Sequence, residues 1–334
     1  MSAVKARTSR RSKYSGLAAI VLIAVAGLIF INRQSLADHA IVLGYQPTSQ
    51  VQQLVEQSAM SDLGEFYFYA STPAVQSRQD FNQSCRGYSA EGATLGCYRG
   101  GRIYIYDVTD ERLTGVKAVT AAHEMLHAAY ARLSEAEQER INKLLEKHYE
   151  SLSEERLDKR LDMYERVQPG TRYVELHAIF GTEHDNLPDE LEQHYSIYFD
   201  DRAKVLAAFN QYNDQFIALE ERATTLRTEA DQLADQIETS TAEYNRSIRQ
   251  LSREITDFNS RATKVSSESE RQSLLDERLQ LMSRTSELEQ THSSINNMIA
   301  RYNQIAGELK EISIEVGDLS NSLDSTKLEP TPQI

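Results

Sequence analysis

The sequence predicts an α+β fold: a domain built from a small mixed sheet and several helices, followed by a long α-helical coiled-coil hairpin. Three observations carry that expectation. Ile103-Tyr104-Ile105-Tyr106 alternates β-branched and aromatic residues just after Arg99-Gly100-Gly101, as the return arm of a β-hairpin does. Thr120 to Ala129 and Tyr173 to Phe180 are apolar stretches with His and Glu embedded at helical spacings. From Leu219 onward apolar residues recur by fours and threes in an otherwise polar region, which is a coiled-coil seam.

Taken in order, residues 1–15 form a basic tail with Lys5, Arg7, Arg10, Arg11 and Lys13 and no acid. The apolar run from Gly16 to Ile31 is flanked by Asn32 and Arg33. It is slightly shorter than a comfortable membrane span of about 20 residues and longer than the usual signal-peptide core of roughly 7 to 15. The expectation is a retained signal anchor over residues 16–32: one pass through the cell membrane, N-terminus cytoplasmic, bulk extracytoplasmic. Ser35-Leu36-Ala37 offers small residues for cleavage, so a removed signal peptide is the alternative. Either way the remainder is exported.

The first 37 residues hold six of the 36 Lys and Arg and none of the 50 Asp and Glu, so the rest sets 30 cations against 50 anions, a net −20. That acidity argues against nucleic acid or anionic lipid as partner, since both reward clustered cations.

Ala40 to Tyr45 reads as a strand, Gln50 to Met60 as a helix broken by Ser61-Asp62-Leu63-Gly64, and the aromatic run Glu65 to Ala70 as a second strand. Cys85 and Cys97 are the only cysteines of an exported chain, which predicts a disulfide; free thiols or zinc ligation are the alternatives. Thr94 to Tyr98 and Arg102 to Val108 form the two arms of the hairpin. A helix follows from near Glu111 to Gly115 as far as about Leu133.

That helix carries His123-Glu124-Met125-Leu126-His127. Residues four apart stack on one helical face, so the two imidazoles can share a metal ion with Glu124 beside them. A catalytic Zn2+ takes three protein ligands and keeps a position for water, whose proton Glu124 would take as general base. Small uncharged neighbours, Ala121, Ala122, Ala128 and Ala129, suit a helix buried beneath such a site. The strand just upstream could then present its edge to an extended peptide, or simply pack in the sheet.

Ser134-Glu135-Ala136-Glu137 is a capping box opening another helix, and Ser151-Leu152-Ser153-Glu154 resembles a second. After a turn at Pro169-Gly170, the helix Tyr173 to Phe180 offers Glu175 and His177 as a third ligand. Two residues apart, they point to different sides of a helix, so one of them serves. Glu175 shares its face with Ala178, which lets this helix approach the first closely. Here the chain resembles a zincin metallopeptidase of the gluzincin type, in which His-Glu-x-x-His is followed some tens of residues later by Glu-x-x-Ala. The resemblance, over roughly residues 100–185, implies His123, His127 and Glu175 as zinc ligands and Glu124 as base, in a zincin-like domain over residues 38–200. His177 is the alternative ligand. Membrane-linked members often carry Asp after that Ala; Ile179 stands here, so the group that orients a ligand histidine must come from elsewhere. Tyr173, His184, His194 and Tyr195 are the candidate donors to a developing oxyanion.

Asn186 to Asp189 starts a helix expected to continue through Tyr195 and Phe199 into the polar region. A first seam runs Leu219, Ala223, Leu226, Ala230, Leu233, Ile237, slips, and resumes at Ile248. A second runs Leu274, Leu281, Leu288, Ile295, Ile299, Tyr302, Ala306, Leu309. The arms, over residues 201–323, are nearly equal in length, as an antiparallel hairpin requires; one continuous helix dimerising in parallel is the alternative. Residues 324–334 read as a disordered tail. The expected function is a membrane-anchored zinc metallopeptidase acting on a peptide or protein substrate, with a partner or a second copy at the coiled coil. A non-catalytic envelope scaffold working through that coiled coil is the runner-up, and zinc-dependent cleavage of a cell-wall peptide shares the site.

Overall fold

The computed structural model of the chain describes Ala24, Gly27 and residues 32–86 and 94–326. The protein is mostly helical (77%), with a small three-stranded sheet and two long helices. The anchor expected at residues 16–32 lies outside the described residues save Ala24, Gly27 and Asn32, as does the tail beyond Thr326. Among the described residues no helix is long and apolar enough to cross a membrane.

The two segments expected as N-terminal strands are helical. Helix α1, Arg33–Gly44, contains Ala40–Gly44 and is held by Asp38, a buried carboxylate paired to Arg132 at 2.9 Å. After α2, Ser49–Gln57, comes α3, Asp62–Ala70, which contains the aromatic run. Its start is the segment expected as a break: the Ser61 hydroxyl accepts from the Gly64 amide at 3.2 Å, a helix N-cap.

The sheet is mixed, in the order β1-β3-β2. Strand β1, Ala74–Gln76, and helix α4, Arg78–Ser84, had no counterpart in the sequence pattern. β2, Gly96–Arg99, and β3, Arg102–Tyr106, form the expected antiparallel hairpin, with Cys97 opposite Tyr104. β1 pairs with β3 in parallel, Val75 opposite Ile105. β3 is therefore the central strand and cannot offer an edge; among the described strands β2 pairs on one side only. Cys85 and Cys97 are bonded, with Cα atoms 6.0 Å apart.

Helix α5, Val116–Tyr130, crosses the core and packs on the hairpin, on α3 and on α8. Helix α6, Glu135–Ser151, opens with the expected capping box of Ser134 and Glu137. The second box is absent: α7, Glu155–Val167, is preceded by Glu154, which makes no side-chain cap bond. Helix α8, Arg172–Glu183, carries Glu175, and α9, Asp189–Tyr195, stops short of the expected length. The chain turns there because Met60 and Phe199 form a β-bridge and Ser61 N–H donates to the Tyr198 carbonyl, drawing Ile197–Asp200 back onto the start of α3.

Helices α10, Arg202–Ala262, and α11, Glu268–Leu323, follow. The chain divides into two units, residues 1–214 with 319–334, and Gln215–Asp318. In the first, the end of α11 is seated: Leu319 and Ser325 are buried, Ser322 Oγ donates to Asp110 at 3.0 Å, and Asn82 donates to the Ser325 carbonyl at 2.5 Å. In the second, α10 and α11 pair antiparallel, shown by Arg222 with Glu308, Glu229 with Arg301, Glu254 with Arg284 and Arg261 with Glu277. Ala223, Leu226, Ile305 and Ile312 make a buried layer. Ile305, not Ala306, occupies the seam, and Ile299 and Tyr302 lie off it, at 39% and 40% exposure. The tip turns at a capping box, with Ser267 Oγ accepting from Glu270 N–H and Glu270 Oε2 from Ser267 N–H.

Candidate metal centre

The centre forms where α5 and α8 cross. Both helices carry small residues on the facing sides, and Gly181 permits the close approach: a Cβ there would lie 2.3 Å from Leu126 Cδ1. This brings Glu175 over the two imidazoles. His123 Nε2 stands 3.6 Å and His127 Nε2 3.8 Å from Glu175 Oε2, and the two rings are 4.7 Å apart. One ligand atom from each of the three lies within 4.8 Å of the others. Ligands about 2.0 to 2.2 Å from one tetrahedral ion stand about 3.4 Å apart, so small side-chain adjustments close the shell. His127 Nε2 and Glu175 Oε2 are buried and reach no hydrogen-bond partner. Buried polar atoms are nearly always partnered, so this pair of bare acceptors on one point fits a cation. A His-His-Glu set of this kind could hold a metal.

Glu124 stands beside this set, Oε2 3.9 Å from His127 Nδ1, and is also buried without a hydrogen-bond partner at Oε2. Its near neighbour is Gly96 of β2, where a Cβ would lie 2.6 Å from Glu124 Oε1 and 2.7 Å from Thr120 Cγ2. The glycine is what allows the strand to pass so close to the carboxylate.

Burial dominates the electrostatics. It pushes the Glu124 carboxyl up to about 8, helped by the Glu175 charge and opposed by His123. It pushes His127 down to about 4 against the pull of Glu175. For His123 burial is outweighed by the Glu175 and Glu124 carboxylates, so the ring is shifted upward. Glu175 itself is held below the ordinary carboxylate value, because His127, His123 and Arg160 together outweigh its burial. A neutral His127 and an ionised Glu175 are the forms that ligate metal.

A cleft of about 730 Å³ opens on the centre. β2 and the residues before it, Thr94 to Tyr98, line one side, and Arg160, Tyr164, Phe209 and Tyr212 are on its wall with Glu183. The pattern of the sequence did not single out these wall residues; they reach the cleft from α7 and the start of α10, through packing that no local motif records.

The other candidates lie elsewhere. His177 is wholly buried with Nε2 2.8 Å from His194 Nε2, its ring among Tyr130, Tyr195 and Tyr198, so it is not placed to ligate with His123 and His127. Two residues from Glu175, it takes the opposite side of α8, toward the core. Of the four expected oxyanion donors none lines the cleft. Tyr195 is buried and donates to the His177 carbonyl at 2.8 Å, and His194 is spent on His177. His184 lies 3.8 Å from Glu154 and against Phe180. Tyr173 lines a separate hollow with Glu146 and Lys147.

Comparisons with protein-family models, with curated proteins and with solved structures found no match to this chain.

Proposed function

We propose that the chain is a membrane-anchored, extracytoplasmic zinc metallopeptidase with a zincin-like catalytic domain and a coiled-coil arm. The observation that carries this reading is the convergence of His123, His127 and Glu175, with bare buried acceptors, beside a second buried carboxylate on a cleft. The ligand set is the one the His-Glu-x-x-His and Glu-x-x-Ala resemblance implies. The Cys85 to Cys97 disulfide fits an oxidising compartment.

His123, His127 and Glu175 would hold the ion. When bound, zinc supplies Lewis acidity to the scissile carbonyl, acidifies the attacking water and favours the ionised form of Glu124. Glu124 takes the proton of that water and returns it to the leaving amine. The one-sided strand β2 offers main-chain groups to an extended peptide in the cleft that Arg160 and Tyr164 also line. The Tyr164 hydroxyl keeps its proton, its pKa pushed up to about 12 by burial, and so remains a hydrogen-bond donor at the wall.

Metal analysis of the full-length protein together with hydrolysis of a mixed peptide library tests this. About one zinc per chain and cleavage abolished by Glu124→Gln with zinc retained are expected; absence of zinc, or cleavage indifferent to Glu124, refutes it. A second reading, a scaffold working through the arm, is favoured by Leu275, Leu279 and Met282. These form an apolar stripe on α11 at 49%, 66% and 58% exposure. A cellular role that survives Glu124→Gln unchanged supports the scaffold.

A further inference from the structure

Arg160 is the only Lys or Arg among the described residues lining the cleft. It projects from α7 and meets Glu183, the last residue of α8, through two hydrogen bonds, Nη1 to Oε2 at 2.7 Å and Nη2 to Oε1. A guanidinium carries five N–H donors in a rigid fork, so this end-on pair uses two of them. The partners are unequally covered: the Glu183 side chain is 12% exposed and that of Arg160 33%. The carboxylate is the deeper member, and the cation keeps accessible surface where both residues line the cleft. Tyr164 and Tyr212 stand close enough to interact electrostatically with Arg160 and line the same wall. Burial raises both hydroxyls, which therefore stay protonated as donors.

Every other charged group of the cleft has a role in the centre or in this pair: His123, His127 and Glu175 as ligands, Glu124 as base, Glu183 as counter-ion. Arg160 also helps to hold Glu175 ionised, which places it within electrostatic range of the ligand set. The chain carries a formal −14, so an anionic group approaching this cleft meets general repulsion and one local attractor.

We propose that Arg160, with the Tyr164 and Tyr212 hydroxyls, is a receptor for a carboxylate of the bound peptide. The substrate class is then a peptide that presents either its free C-terminus or an Asp or Glu side chain to this wall. The inference deepens the metallopeptidase reading, and carboxylate capture is measurable apart from cleavage.

The test uses the full-length protein stripped of metal, so that nothing turns over and no ion competes for the carboxylate. Two peptide pairs are titrated calorimetrically: acetyl-Ala-Phe as free acid and as amide, and acetyl-Ala-Glu-Ala-amide against its Gln counterpart. Tenfold or tighter binding of the acid in either pair is expected, the first pair marking the terminus and the second the side chain as source. In the double variant Arg160→Gln/Glu183→Gln, which removes the cation and its counter-ion together, the preference should vanish; in Arg160→Lys it should fall but persist. Should the double variant fail to fold by circular dichroism, raising salt on the wild type must shrink the preference. Equal binding of acid and amide in both pairs overturns the proposal, as does a preference that outlives the double substitution or resists salt. Failure of zinc binding or of peptide cleavage would overturn the peptidase reading and leave the calorimetric result intact.

Discussion

Replacing Glu124 with Gln should stabilise the metal-free fold while removing the proposed peptide hydrolysis. Glu124 is buried at 4% exposure, and its carboxyl is raised from 4.5 to about 8. A carboxyl whose folded-state pKa lies above its unfolded value contributes stability only below the unfolded value, and loses it as pH rises toward the folded one. At pH 7 the unfolded chain ionises this group and the folded chain does not. At 1.36 kcal/mol per unit, that difference costs the native state about 3 kcal/mol at pH 7 and between about 4 and 5 near pH 8. Gln imitates the neutral acid and does not titrate. Urea unfolding of EDTA-treated wild type and Glu124→Gln, followed by tyrosine near-ultraviolet circular dichroism, should give equal stabilities near pH 4.5 and a variant more stable by several kcal/mol at pH 8. With zinc restored, peptide hydrolysis by the variant should fall about 10² to 10⁴-fold, the usual worth of a general base. A variant no more stable than wild type at pH 8 would show that Glu124 is not a desolvated, unpaired acid, and the account of the centre would fail with it.

Further expectations follow from the same geometry. Glu175→Ala should lose stoichiometric zinc on dialysis, whereas His177→Ala should keep zinc and lose about 2 to 4 kcal/mol of stability, since it opens the core and strands His194; zinc lost from the second and kept by the first would reverse the ligand assignment. Gly96→Ala should leave zinc content unchanged and cut hydrolysis about 100-fold by displacing Glu124, read as activity per bound zinc. His194, pushed down to about 4 mainly by burial, takes up its proton in the unfolded chain from pH 6.5 downward and in the folded chain only near 4, so stability falls as pH drops through that window. In Glu124→Gln, where the opposing carboxyl is gone, His194→Gln should remove about 2 kcal/mol of the loss between pH 7 and pH 5, checked by urea midpoints. Reducing the Cys85 to Cys97 bond, which closes 12 positions of chain, should cost about 3 kcal/mol, measured as the shift in unfolding free energy with and without reductant.

The parts legible in sequence are those written in local spacing. His123, Glu124 and His127 lie within five consecutive residues of one helix, and the Ser134 to Glu137 box and the Gly100-Gly101 hairpin are equally local. Glu175 is marked only by the Glu-x-x-Ala resemblance, and the small residues around it are what packing against α5 demands. What escaped depends on partners far along the chain. The Ala40 to Gly44 run has strand-like composition, yet Asp38 meets Arg132 across 94 positions and keeps the segment helical. The aromatic run Glu65 to Ala70 is helical because Ser61, whose residue type suits a break as well as a cap, closes a helix N-terminus. β1 is three residues long and gains its identity only from β3. Arg160, Tyr164 and Tyr212 belong to charged amphipathic helices whose inward faces nothing local distinguishes from solvated ones. The Ser267 to Glu270 box at the hairpin tip, by contrast, is local and stands in the letters as Ser-x-x-Glu.

The seat of Leu319 to Ser325 beside Asp110 and Asn82 has a bearing on how the molecule assembles. Those last turns complete the first unit, yet about one hundred residues separate them from Asp214, and closing so long an excursion from a random coil is entropically expensive and slow. Antiparallel pairing of the two long helices shortens the loop that has to be closed, so a proline placed in the middle of the arm should weaken the seating of Leu319 to Ser325 even though every residue lining that seat is untouched.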